Sequence, residues 1–202
     1  MSPSEPTRAG FVLAGGESSR MGTDKAFLEF EGQTLLDRAL NTVGAVCDRV
    51  AIVGDPLKFA RHSEKHAVMA DVFRGCGPLG GIHAALTQPA AEFNLMLGVD
   101  MPFVSTGLLE FLFTAAAESG LTVTVPHVAK GWQPLCAIYR RDFVPVAEKA
   151  LQAGNYKIDA LFTSVSLRTI DEKELTAAGF LPRIFFNLNT PDDRRAAEGR
   201  SR

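Results

Sequence analysis

The residues with the most chemistry lie in one segment, LAGGESSRMGTDKA from Leu13 to Ala26, where a glycine pair follows directly on an apolar run. Gly15 and Gly16 lack the β-carbon that keeps a ligand off the backbone, so their N–H groups can line a concave nest for phosphate oxygens. Arg20 adds a planar fork of donors, and Lys25 adds a compact ammonium able to follow charge toward a leaving pyrophosphate. Leu13, Ala14, Gly15 and Gly16 are therefore candidate nucleotide contacts, and Arg20 and Lys25 candidate catalytic cations. Gly, Ser and Asp also make ordinary turns. The spacing matches neither a Walker-type phosphate loop nor GxGxxG. On its residues alone the segment is a site for a nucleoside triphosphate and nothing narrower.

Further polar residues stand where short apolar runs end. Asp100 follows FNLMLGV, which suits a hard oxygen ligand for Mg²⁺ held together with substrate phosphates. It would equally suit a turn, or a cap for a helix beginning near Ser105. Asp71 ends HAVMAD and reads either as a nucleoside contact or as a turn carboxylate. In GPLGG, Gly77 and Gly80 would let backbone approach a base or ribose, or let a helix pack closely on the sheet. Asn187 and Asn189, two apart, would face the same way on an extended chain. Asn189 or Thr190 before Pro191 would equally cap a terminal helix. Lys157 is either a contact for an acceptor phosphate or a surface lysine. His62 and His66 are four apart, with no third metal ligand nearby in sequence. Ser18 and Ser19 have no partners for nucleophilic catalysis and read as hydrogen-bonding groups of the loop.

The elements that must position these residues alternate. Apolar runs at Gly10–Ala14, Arg49–Gly54, His66–Asp71, Phe93–Val99, Leu121–Pro126, Pro134–Arg140 and Val165–Ile170 predict strands. Thr34 is expected to cap a helix reaching Val46. Further helices are expected from Pro78 to about Gln88, from Thr106 to Ser119, and from Asp142 to about Gln152, the last closing at Gly154. FFNLN at Phe185–Asn189 is expected to close the structure, and Pro191 to start a charged helix. Strand–helix alternation implies a single doubly wound, mostly parallel α/β domain over 8–199 with a Rossmann-like nucleotide-binding half, and flexible termini at 1–7 and 200–202. Ligands of such sheets sit outside the carboxyl ends of the strands. The glycine loop, Asp71 and Asp100 fall there.

Taken in order, LAGG, SxRMG and DK resemble the signature of the molybdenum cofactor guanylyltransferases, within the nucleotidyltransferases of nucleotide-diphospho-sugar transferase type. The resemblance spans nearly the whole chain. It implies transfer of GMP from GTP to the terminal phosphate of molybdopterin cofactor, with Mg²⁺ assistance and release of pyrophosphate. It also favours Asp100 as the magnesium aspartate and Asp71 as a nucleoside contact. GWQPLCAIY resembles the family's acceptor-side loop, making Gln133 and Pro134 candidates, and FFNLNTPDD resembles its closing segment. LAGG favours guanine, since the cytidylyl-transferring relatives tend to carry LAAG. Val53 departs from the polar residue that many relatives carry at the end of the second strand, so no contact is assigned there. The rival readings are a cytidylyl- or sugar-phosphate nucleotidyltransferase and a noncatalytic GTP-sensing module.

Composition narrows the partners. A net charge of −2 over 202 residues offers no general attraction to nucleic acid or anionic membrane. Any anion must be held by a local cluster. No apolar stretch approaches the roughly 20 residues that span a bilayer, and the first residues lack the apolar core of a signal peptide. The cysteines Cys47, Cys76 and Cys136 are three and widely spaced, which suits reduced thiols and a cytoplasmic protein. GTP and molybdopterin cofactor are the expected substrates, with transient contacts to cofactor-synthesis or molybdoenzyme-maturation proteins.

Overall fold

Strand β1 (Arg8–Leu13) alternates its side chains between two separate cores: Ala9, Phe11 and Leu13 enter one, and Val12 and the following Ala14 enter the other. A strand buried on both faces requires helices on both. The computed structural model describes residues 7–15, 24–73, 75–88, 91–188 and 193. After β1 come a two-stranded hairpin of β2 (Glu29–Phe30) and β3 (Gln33–Thr34), helix α1 (Leu35–Gly44), β4 (Arg49–Val53) and β5 (Ala67–Met69). Next are α2 (Pro78–Thr87), β6 (Phe93–Gly98), α3 (Thr106–Ser119), β7 (Val123–Val128), β8 (Gly131–Trp132) and β9 (Cys136–Tyr139). They are followed by α4 (Val144–Gln152), α5 (Ile158–Leu161), β10 (Leu167–Asp171) and α6 (Glu172–Ala177).

The main sheet has the order β10-β7-β9-β6-β1-β4-β5, with β8 paired to β7. β1 lies parallel to β4 and β6, β4 to β5, and β7 to β10. β9 runs opposite to its neighbours β6 and β7. The chain leaves β1 toward β4 and β5, then returns to place β6 on the other side of β1. Connections therefore diverge at the β1–β6 boundary, and a crevice at that switch point is where an open α/β sheet binds its ligands.

Helices cover both faces. Leu36, Ala39 and Val43 of α1 join Leu108, Leu112 and Phe113 of α3 in one core, whereas Leu79, Ile82 and Leu86 of α2 join Ala147 and Leu151 of α4 in the other. Each fully buried leucine contributes about 1.5–3 kcal/mol of transfer free energy. Helix starts follow local chemistry: the Thr34 hydroxyl accepts from Asp37 N–H at 3.0 Å and the Ser105 hydroxyl from Leu108 N–H at 3.3 Å. α3 stops where Gly120 turns left-handed at φ 63°. Gly10 lets α1 lie directly on the sheet, because a β-carbon there would fall 2.1 Å from Cγ1 of Val43.

Several expected boundaries move. α1 stops at Gly44 and not Val46, and the helix expected from Asp142 starts as a 3₁₀ turn at Arg141–Phe143 before α4. At the closing segment Pro182–Phe185 forms a 3₁₀ turn, followed by irregular residues 186–188. Asn189, Thr190 and the expected helix from Pro191 lie outside the described residues, apart from Asp193.

Candidate active site

The end of β1 is pinned to both neighbours: Leu13 C=O accepts from Val99 N–H at 3.1 Å, and Ala14 N–H donates to Val53 C=O at 3.0 Å. Val53 itself is buried, so this backbone bond is what the end of β4 provides. Gly15 emerges exposed, and among the described residues outside its immediate neighbours the nearest atom to a β-carbon built on it would be the Val53 carbonyl oxygen, at 3.8 Å. Its φ is not in the left-handed region. Nothing in the packing of the described residues demands glycine at 15, and its missing side chain suits close approach of a ligand to the backbone. Gly16 and Arg20 lie outside the described residues. Lys25 opens a 3₁₀ turn, Lys25–Phe27, whose cap is Asp24, with its Oδ1 accepting from Ala26 N–H at 3.0 Å.

That turn aims Lys25 across the switch point. Its Nζ stands 3.9 Å from Oδ2 of Asp100, and both side chains are about a quarter exposed, at 27% and 21%. Burial pushes the Asp100 carboxyl above the ordinary carboxylate range, opposed by the Lys25 ammonium and by Asp100's own N–H. Gly98 makes room, since a β-carbon there would be 3.0 Å from Asp100 Oδ1. The Asp100 backbone is tied in turn by Leu188, whose N–H donates to its carbonyl at 2.8 Å. Capping of α3 falls to Ser105, which removes one of the structural alternatives for Asp100.

Asp71, just beyond β5, divides its carboxylate. Oδ1 accepts from Phe73 N–H at 2.7 Å, a turn role, while Oδ2 lies against α2, where a β-carbon on Gly80 would be only 2.3 Å away. Gly80 is thus required by Asp71, and Gly81 packs on Leu13 and Val53. Gly77 serves differently: it precedes α2 with φ 65°, a conformation suited to glycine. Burial raises the Asp71 carboxyl above its ordinary range, against the Phe73 N–H and the nearby His83. His83 is buried with its Nδ1 unpartnered and its ring edge-on to Phe73 at 5.1 Å.

The acceptor-side candidates are gathered less tightly. Because β9 runs backwards, its first residues meet the end of β6, and Gly98 N–H donates to Leu135 C=O at 2.8 Å. This places Gln133 and Pro134 beside the strand that ends at Asp100. The Gln133 amide donates to Gly131 C=O at 3.1 Å, and Pro134 C=O accepts from the buried Tyr139 hydroxyl at 2.9 Å. Lys157 is exposed and follows Tyr156, whose hydroxyl meets Cys76 in the loop before α2. Asn187 is exposed, one residue from the Leu188–Asp100 bond. Asn189 lies outside the described residues.

A cation passed over in the sequence reading also stands at this edge. Lys58, in the loop after β4, pairs with Asp24 and donates to Ala14 C=O at 3.4 Å. No spacing marks it, because Ala14, Asp24 and Lys58 meet only through the sheet. Among the described residues no group of three or more His, Cys, Asp or Glu could hold a metal ion. The Nε2 of His62 lies 3.5 Å from Oδ1 of Asp37. Asp100 remains as a single desolvated carboxylate, which fits Mg²⁺ because that ion characteristically uses one or two carboxylates and completes its shell with substrate phosphates and water. Among the described residues no helix is long and apolar enough to cross a membrane.

Comparison with known proteins agrees with this architecture. A family model described as the MobA-like NTP transferase domain matches residues 10–168. The chain is 37% identical over 192 residues to a molybdenum cofactor guanylyltransferase from Desulfosudis oleivorans, covering 94% of this chain and 93% of that one. It is 33% identical to a probable molybdenum cofactor guanylyltransferase from Pelotomaculum thermopropionicum, covering 91% and 88%. Among solved structures, molybdopterin-guanine dinucleotide biosynthesis protein A from Archaeoglobus fulgidus superposes with a TM-score of 0.83 at 26% identity, covering 96% and 98%. A 2-C-methyl-D-erythritol 4-phosphate cytidylyltransferase from Thermus thermophilus shares the fold, at a TM-score of 0.69 and 16% identity over 95% of this chain and 97% of that one.

Proposed function

The chain belongs to the MobA-like NTP transferase family, and from that premise we propose that it is a molybdenum cofactor guanylyltransferase, moving GMP from GTP to the terminal phosphate of molybdopterin cofactor. The observation that carries the reading is the Lys25 ammonium facing the Asp100 carboxylate at 3.9 Å across the β1–β6 switch point, beside the open backbone at Gly15.

The triphosphate of GTP lies along the glycine loop, with Leu13, Ala14, Gly15 and Gly16 at the nucleotide and Asp71 and Gly77 toward the nucleoside. An oxygen of the acceptor phosphate attacks the α-phosphorus in line. The new P–O bond forms as the bond from the α-phosphorus to its bridging oxygen breaks, and that electron pair leaves with pyrophosphate. The acceptor oxygen is already anionic, so no general base is required. Lys25 and Arg20 stabilise the charge that builds on the leaving oxygens. Asp100 would hold Mg²⁺, which would supply positive charge to neutralise the phosphates. The Gln133–Leu135 loop and Asn187 lie on the acceptor side. The proposed substrates and the free cysteines support a cytoplasmic site of action.

LAGG supports guanine over cytosine. Incubation with molybdopterin cofactor, Mg²⁺ and GTP, CTP or ATP in turn should give a dinucleotide product with GTP. Product from CTP alone would reverse the base assignment, and no pyrophosphate with any nucleotide would favour the sensing module.

A further inference from the structure

We propose that Lys58 is a positioning residue that ties together the two ends of the glycine loop and so holds Lys25 opposite Asp100. The inference rests on the nucleotidyl-transfer reading for its consequence but not for its geometry. One ammonium reaches both ends of the segment: Ala14, the last residue before the glycines, offers its carbonyl at 3.4 Å, and Asp24, immediately before Lys25, offers its carboxylate. Asp24 in turn caps the turn that carries Lys25. Displacing Asp24 therefore displaces the ammonium that faces Asp100.

The lysine is itself held firmly. Its Nζ lies 4.7 Å from the ring centre of Phe59 and 6.0 Å from that of Phe27. Phe59 is fully buried against Gly54, where a β-carbon would fall 2.5 Å from its ring. The Gly54 N–H donates to Met69 C=O at 2.9 Å, so the loop that presents Lys58 is anchored to β5. With a carbonyl, a carboxylate and two rings around it, the ammonium is already engaged by protein. That distinguishes it from a phosphate ligand, whose donors must face the substrate. It supplies orientation to Lys25, which the reaction uses directly.

The test compares Lys58→Met, which keeps the apolar stem on Phe59, with Lys58→Arg and Asp24→Asn, the last retaining an oxygen to cap the Lys25 turn. For GMP transfer, kcat should fall about tenfold or more in Lys58→Met through misplacement of Lys25, with the KM for GTP changing less. Lys58→Arg should recover most of the loss, and adding Asp24→Asn to Lys58→Met should cause little further loss. Wild-type kcat in Lys58→Met overturns the proposal. So does a rise in GTP KM alone with additive losses in the double variant, which would make Lys58 a direct phosphate contact. If the wild-type protein transfers no nucleotide at all, the functional reading fails separately. The tie is then judged by thermal unfolding of the same four-member cycle: non-additive melting shifts support it, and additive shifts overturn it.

Discussion

The half of the sheet from β5 to β6 and the half from β9 to β10 share one edge but bring different things to it. In the first half every strand runs the same way, so the loops leaving β1, β4, β5 and β6 converge on the switch point and deliver Gly15, Lys58, Asp71 and Asp100. In the second half β9 is reversed, and its leading loop arrives at the end of β6 through the Gly98–Leu135 bond. It brings an amide and a proline, both already hydrogen-bonded within the protein. Parallel strands concentrate charge at one place, whereas the reversed strand supplies a wall. Such a division suits a site in which one substrate is a polyanion needing compensation and the other needs mainly to be placed.

If that contrast is correct, substitutions in the first half should be far more costly than those in the second. Asp100→Asn should lower GMP transfer by about a thousandfold, the scale on which preorganised charge acts, while melting at the same temperature or higher, since a desolvated carboxylate is removed.

Asp71→Asn should weaken GTP binding about tenfold by loss of a charge-assisted contact, measured by calorimetry. Its stability should change in the opposite sense. The folded state raises the Asp71 pKa, so ionisation costs stability above that pKa and costs nothing below the unfolded value, where both states are protonated. The variant should therefore melt higher than wild type at neutral pH, and the difference should vanish as pH falls through the carboxylate range. A difference independent of pH would show that the carboxylate is not the cause.

Lys157→Ala, in the second half, should change the acceptor KM by less than about threefold, as expected of an exposed charge. A larger effect would mean that this half contributes charge after all, and would erase the contrast.

Much of the first half was legible because its signals are local. The glycines beside an apolar run and the aspartates ending HAVMAD and FNLMLGV are marked by their immediate neighbours. Strand direction has no such signal: PLCAIY reads as a buried strand whichever way it runs, and only pairing to β6 and β7 reveals the reversal. The two-residue strands β2, β3 and β8 are too short to show a period. α6, capped by Asp171 with Glu174 N–H donating to it at 2.8 Å, is only six residues long, too short to show a helical period in the sequence. Lys58 was invisible for a different reason, since its partners lie 44 and 34 residues away and meet it only once β1 and β4 pair.

The central claim is that Lys25 and Asp100 act as one unit across the switch point. A double-variant cycle on GMP transfer, using Lys25→Met, Asp100→Asn and both together at saturating Mg²⁺, tests it most directly. The account predicts that the double variant is slower than the worse single variant by no more than about threefold, as for residues that act together. Losses that multiply, each substitution costing as much in the variant background as in the wild type, would contradict it.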